Sequence, residues 1–169
     1  MILYVKNKLA SLGEASFVVN ESGEKMFEVG GKVMSITRKK FVRNLNGETL
    51  YMVRNKYWHA FTKKALIYDG KTNEKVAKVK ERFWGRGFII EDCENEITLE
   101  SLGFGKGYDI FKNGNRIGGW LPNWDFQSAA DVIRDTFKLE VLDEADAPFL
   151  VALFIAIDNI RDSKRRDRD

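Results

Sequence analysis

The side chains able to do covalent or acid–base chemistry are few. His59 is the one histidine and Cys93 the one cysteine of the chain. A hydrolytic triad would need His59 as its base, yet it sits in Tyr57-Trp58-His59-Ala60-Phe61, a setting that suits a packed histidine. Structural zinc takes four ligands, mostly His and Cys, which one of each cannot supply. Cys93 lies among Glu91, Asp92, Glu94 and Glu96, and neighbouring negative charge disfavours the thiolate a nucleophile needs. Gly103-Phe104-Gly105-Lys106-Gly107 resembles a phosphate loop, but the GxxxxGK(S/T) pattern is absent and no helix follows, so a β-turn or bulge is expected. These residues predict no enzyme, no metal and no cofactor.

The cations make a more pointed pattern. Lys8, Lys32 and Lys56 are each 24 residues apart and begin similar segments, Asn7-Lys8-Leu9-Ala10-Ser11, Gly31-Lys32-Val33-Met34-Ser35 and Asn55-Lys56-Tyr57-Trp58-His59. Arg38-Lys39-Lys40 and Lys63-Lys64 share a phase within that repeat, with Arg43, Arg54 and Lys56 near in sequence. If successive units are adjacent hairpins, Arg38, Lys39, Lys40, Arg43, Lys63 and Lys64 fall on one rim. Converging cations favour a phosphate-bearing headgroup, at about 1 kcal/mol per Lys or Arg near an anionic membrane. Trp58 and Phe61 would add an interfacial contact. The competing reading is that such lysines guard strand edges against pairing.

The net charge of +3 conceals an uneven distribution. Lys32 to Arg86 carries 15 Lys and Arg against four acids, whereas Gly87 to Asp146 carries five against 13. Such asymmetry hints at anionic partners, and the plainer reading is that the two segments fold together and neutralise each other. The acidic half argues against a long polyanion, so nucleic acid is an unlikely partner.

Elements able to position these residues follow from the pattern. Turns rich in Asn, Asp and Gly recur at Asn20–Glu24, Asn44–Glu48, Asp69–Glu74, Asp92–Asn95 and Asn113-Gly114, supplying the positive φ of tight hairpins. Short alternating segments lie between them, such as Ser16–Val19, Met26–Val29, Leu50–Arg54, Tyr108–Lys112, Asn115–Trp120 and Thr136–Leu142. In Val76–Lys80 the alternation slips, which predicts a bulge. Ser128-Ala129-Ala130-Asp131 has capping-box spacing, consistent with a helical turn or two over 129–134. Phe149–Ile157, FLVALFIAI, is apolar around its whole circumference, which requires burial on every side. It is less than half of the roughly 20 residues a membrane span needs. Asp146 as N-cap and Pro148 in the first turn predict a helix over about 147–161. Twelve or thirteen strands would leave open edges unless closed into a barrel. Such a barrel is too wide for side chains alone to fill, and a helix along its axis fills it. The expected organisation is one domain over 1–162, mainly β, with a charged tail at 163–169.

That combination resembles the LURP-one-related family of the tubby C-terminal-like superfamily, which includes the phospholipid scramblases, and looks closest to its small bacterial members. The resemblance rests on Lys8-Leu9-Ala10-Ser11, Lys32-Val33-Met34-Ser35, the hairpin phase between them, and Ala152–Ile160. It implies a twelve-stranded antiparallel barrel threaded by a hydrophobic C-terminal helix. The scramblase features of a cysteine-rich acylation segment and an Asp-x-Asp-x-Asp-Gly calcium loop are missing. The expectation is a non-enzymatic binding or scaffold protein engaging anionic phospholipid or phosphoinositide headgroups through the basic rim; the alternative is a protein-interaction module with no lipid ligand. With a single cysteine and no leader pattern at MILYVKNKL, the expected location is the cytoplasm, with a peripheral place at the membrane.

Overall fold

In the computed structural model, residues 1–6, 16–31, 39–56, 63–82, 87–103, 107–122 and 136–166 are described. They form twelve strands and one long helix. The strands are β1 (Ile2–Lys6), β2 (Ser16–Asn20), β3 (Lys25–Gly31), β4 (Lys40–Arg43), β5 (Thr49–Lys56) and β6 (Lys64–Asp69). They continue as β7 (Lys75–Glu81), β8 (Phe88–Glu91), β9 (Ile97–Ser101), β10 (Tyr108–Lys112), β11 (Asn115–Pro122) and β12 (Thr136–Val141). A 3-10 turn at Glu144–Asp146 leads into α1 (Ala147–Arg166).

Strands adjacent in sequence pair antiparallel, except β8 with β9, and β1 pairs with β12, giving the order β8-β7-β6-β5-β4-β3-β2-β1-β12-β11-β10-β9. The ring is therefore joined by hydrogen bonds where the first strand meets the last. It is left unjoined at one place, the seam between β8 and β9. The expected barrel is present, nearly closed rather than continuous.

The helix lies inside it. Leu150 to Ile160 are all buried, including Leu153, Ile155 and Ala156 with no exposed surface. Phe149 meets Tyr51 of β5 at 6.0 Å between ring centroids, while Phe154 meets Trp120 of β11 at 5.9 Å and Phe137 of β12 at 4.9 Å. β5 and β11 stand on opposite sides of the ring, so the helix touches both walls. Small inward residues let it approach: a Cβ at Gly118 would stand 3.1 Å from Leu150 Cδ1, and Ala65 and Ala77 are fully buried. The helix runs to Arg166, five residues past the expected end. Lys164, Arg165 and Arg166 are good helix formers and place positive charge at a helix C-terminus, where it is favoured.

The hairpin repeat has a common local structure. Asn20 Oδ1 accepts from the backbone N–H of Ser22 (3.0 Å) and Glu24 (2.9 Å), and Gly23 takes φ +80°. Asn44 Oδ1 accepts from Asn46 (3.1 Å) and Glu48 (2.9 Å), with Gly47 at φ +81°. The third turn substitutes Asp69, whose Oδ1 accepts from Lys71 and Thr72, and puts Asn73 at φ +59°. One residue past each turn's return strand start the register slips, leaving Met26, Leu50 and Val76 as the extra residue of a bulge. The bulge expected at Val76 is therefore present, and a fourth lies at Ile117. The two-residue-against-one geometry of a bulge lets Met26, Leu50 and Val76 pack against the core beside the inward Phe27, Tyr51 and Ala77.

Candidate functional site: the long-loop end of the barrel

The two ends of the barrel differ. One is closed by the short turns after β2, β4, β6, β8, β10 and β12, and α1 enters there. The other, which we call the mouth, is where β4, β6, β8, β10 and β12 begin and where α1 arrives at its C-terminal half. The connections at the mouth are residues 7–15, 32–38, 57–62, 83–86, 104–106 and 123–135, which lie outside the described residues. Arg38, Trp58, His59, Phe61 and the helical turn expected at 129–134 fall among them.

Of the predicted rim, Lys39, Lys40, Lys63 and Lys64 are brought to the mouth. Lys40 opens β4 opposite the fully buried Val53, so it lies on the inward side of its strand. Lys63 immediately precedes β6 and its Nζ is buried. Asn55, opposite Ala65 on the intervening strand, is 4% exposed. Register thus sets Lys40, Asn55 and Lys63 as diagonal neighbours on one inner face, roughly 7–8 Å apart at the Cα level. Lys64 lies on the outer face, opposite Lys56 on one side and Lys80 on the other. Among the described residues Lys39 and Lys64 make no ion pair. Arg43 does not join them. It ends β4 three residues away, about 10 Å along the strand, donates to Glu28 at 2.8 Å and lies over the Phe41 ring.

Much of the remaining basic charge is neutralised across strands. Lys75 reaches Asp92 at 2.6 Å, Lys78 reaches Glu91 at 2.6 Å, and Lys80 also pairs with Glu91. These contacts join the basic and acidic segments, so the neutralising arrangement holds for β7 and β8. The hydrogen bonds from Lys78 and then Lys80 hold the Glu91 carboxyl down to about 2. Cys93 is a free, half-buried thiol; burial first, then Asp92, pushes its pKa up, against nucleophilic use. Gly103 and Gly107 flank the link between β9 and β10, where Leu102 N–H donates to Gly107 O at 3.2 Å, a strand-to-strand connection.

Arg161 escaped the sequence reading. Its Cζ lies 5.4 Å from the Trp120 ring centroid, 5.7 Å from Phe88 and 6.0 Å from Tyr108, within cation–π range of all three. No local motif marks it; the available signal was a cation directly after an apolar helix in a chain with aromatic strands. Two helix residues before it, Asp158 and Asn159, are buried, and among the described residues Asn159 Nδ2 has no hydrogen-bond partner. Among the described residues no group of three His, Cys, Asp or Glu could hold a metal ion, and no helix is long and apolar enough to cross a membrane.

A family model described as LURP-one-related matches residues 1–158, nearly the whole chain. No curated protein and no solved structure matches it.

Proposed function

The chain belongs to the LURP-one-related family, and on that premise we propose that it is a non-enzymatic binding protein whose barrel mouth engages anionic phospholipid headgroups. The observation that carries this is the gathering of Lys39, Lys40 and Lys64 at one end of β4 and β6, with Lys64 flanked in register by Lys56 and Lys80. Lys39 and Lys64 make no ion pair among the described residues, and like charges set directly across strands destabilise a sheet, a cost that an anionic partner at Lys64 would relieve. The opposite end shows the contrast, since Arg43, Lys71 and Lys112 there are paired with Glu28, Glu48 and Asp146. A cytoplasmic protein acting at the membrane periphery is the setting this reading requires.

Vesicle co-sedimentation tests it. The protein should pellet with phosphatidylcholine vesicles doped with phosphatidylserine or a phosphoinositide, less so as salt rises, and not with phosphatidylcholine alone. Replacing Lys39, Lys40 and Lys64 by Glu should remove at least about 3 kcal/mol, roughly a hundredfold in affinity. Equal pelleting with neutral vesicles would refute the reading and favour a protein-interaction module instead.

A further inference from the structure

Around the ring the Trp120 platform of Arg161 lies five strands from Lys40, nearly opposite it, whereas its Phe88 platform lies two strands from Lys64. Phe88, Tyr108 and Trp120 belong to β8, β10 and β11, whereas Lys40 and Lys64 belong to β4 and β6. Twelve strands about 4.8 Å apart, tilted by about 40°, close into a ring about 24 Å across. A single phosphate group cannot touch both sides of it.

The guanidinium is held and yet unused. Three rings lie beneath it, with Phe88 and Tyr108 themselves in edge contact at 6.2 Å across the β8–β9 seam. Arg161 is exposed and, among the described residues, makes no hydrogen bond or ion pair. Stacking occupies the face of a guanidinium and leaves its N–H fork free for the bidentate pair that a phosphate accepts. Restraint by the rings lowers the entropic cost of making that pair.

Exposed apolar side chains lie on the outer side of the rim formed by the same strands, on the face opposite the rings. Ile89 follows Phe88 on β8, Leu102 follows the end of β9, and Leu121 follows Trp120 on β11. They are 36%, 40% and 42% exposed. A soluble phosphate offers nothing to these groups. A membrane interface offers acyl chain to the leucines and phosphate to the arginine in the same plane.

We propose that Arg161, seated on the inward Phe88–Tyr108–Trp120 rings, together with Ile89, Leu102 and Leu121 on the outer side of the same rim, is a second anchor through which the mouth lies against an anionic membrane surface. This rests on the lipid reading above and adds to it that the partner is an extended interface contacted on both sides of the mouth. Vesicle co-sedimentation and inorganic phosphate titration separate the possibilities. Arg161→Met keeps apolar cover on the rings without the charge, Arg161→Lys keeps charge without the fork, and Leu102→Asp with Leu121→Asp removes the apolar contact. Each variant's melting curve is recorded, and affinity is compared at temperatures where it is folded.

Affinity for anionic vesicles should fall about fivefold in Arg161→Met, recover partly in Arg161→Lys, and fall in the double leucine variant. Inorganic phosphate should compete only weakly. If Arg161→Met pellets like the parent while the lysine reversals release the protein, the second anchor is wrong and the lipid reading survives. If neither set changes pelleting, both are wrong. If inorganic phosphate binds in an Arg161-dependent way while vesicle binding ignores Arg161, the position is a free-phosphate site and the membrane assignment is overturned.

Discussion

The turn end and the mouth of this barrel are built from the same hairpins but follow different rules. At the turn end, every feature answers a local need. Asn20 and Asn44 bind their own backbone two and four residues on, glycines supply φ near +80°, and nearby cations are paired. At the mouth the polar groups are of another kind. Lys40 faces inward, and among the described residues Asn159 Nδ2 has no hydrogen-bond partner and Arg161 rests on three rings with no ion pair. The difference teaches that the locally satisfied turns sit at one end, and the proposed binding chemistry falls at the other. The helix links the two, entering at the turn end and carrying Arg161 to the other.

The most severe way to break this division is to attack the link. Leu153→Asp would place a charge in the barrel interior, where burial of an unpaired ion is prohibitive. Loss of the whole folding stability is expected, about 5–15 kcal/mol, and circular dichroism at room temperature should show an unfolded chain. Leu153→Ala should fold but lose about 2–5 kcal/mol. A Leu153→Asp protein that melts like the parent would remove the helix from its central role.

Glycines sharpen the comparison. Gly107 begins the mouth end of β10 at φ +112°, and a Cβ there would collide with the Trp120 carbonyl oxygen. Gly47 sits at φ +81° with open space around its missing Cβ. Gly107→Ala should therefore cost about 3 kcal/mol or more through overlap and strain together. Gly47→Ala should cost about 1–2 kcal/mol from backbone strain alone. Denaturant titration of both decides it, and equal losses would mean that the close approach at the mouth relaxes freely.

Asn44→Ala isolates the turn chemistry next. It removes an acceptor of two backbone N–H groups and the contact of Nδ2 with Glu48 at 3.0 Å. About 1 kcal/mol should be lost, with vesicle binding by folded protein unchanged, because the mouth lies at the other end.

The smallest effect is the pH response of the surface ion pairs. Glu91 titrates at about 2 in the folded protein against 4.5 ordinarily, and Asp92, Glu48 and Asp69 are also lowered. Between those values the unfolded chain binds more protons than the native one. Their stabilisation is thus complete above about pH 4.5 and is lost as pH falls towards 2. Asp92 and Glu48 are exposed and Glu91 and Asp69 partly so, and salt should therefore mute the slope. Melting temperature measured from pH 6 down to about 2.5 should decline, and less steeply in Glu91→Gln. An unchanged slope in that variant would show that the Lys78–Glu91–Lys80 contacts contribute nothing in solution.

What could be read from the sequence follows the same division. The turns were legible because an Asx residue and a glycine within five positions specify their own geometry. The helix was legible because nine successive apolar residues admit no surface. The bulge at Val76 showed itself as a slip in alternation, whereas those at Met26 and Leu50 did not, since neighbouring apolar residues fit either phase. Placing Arg43 with the rim failed to anticipate Glu28, fifteen residues away and across a strand pair. The stacking of Arg161 depends on three strands brought together only by ring closure.

That closure has a consequence for how the chain reaches its native state. β1 is held between β2 and β12, and β12 follows it by 130 residues. The first strand made thus waits, edge open, until nearly everything else has been synthesised. Contacts so distant along the chain slow folding, and an unpaired edge left waiting invites the wrong neighbour. The rod destined for the interior comes later still, so the hairpins must gather before their own centre exists.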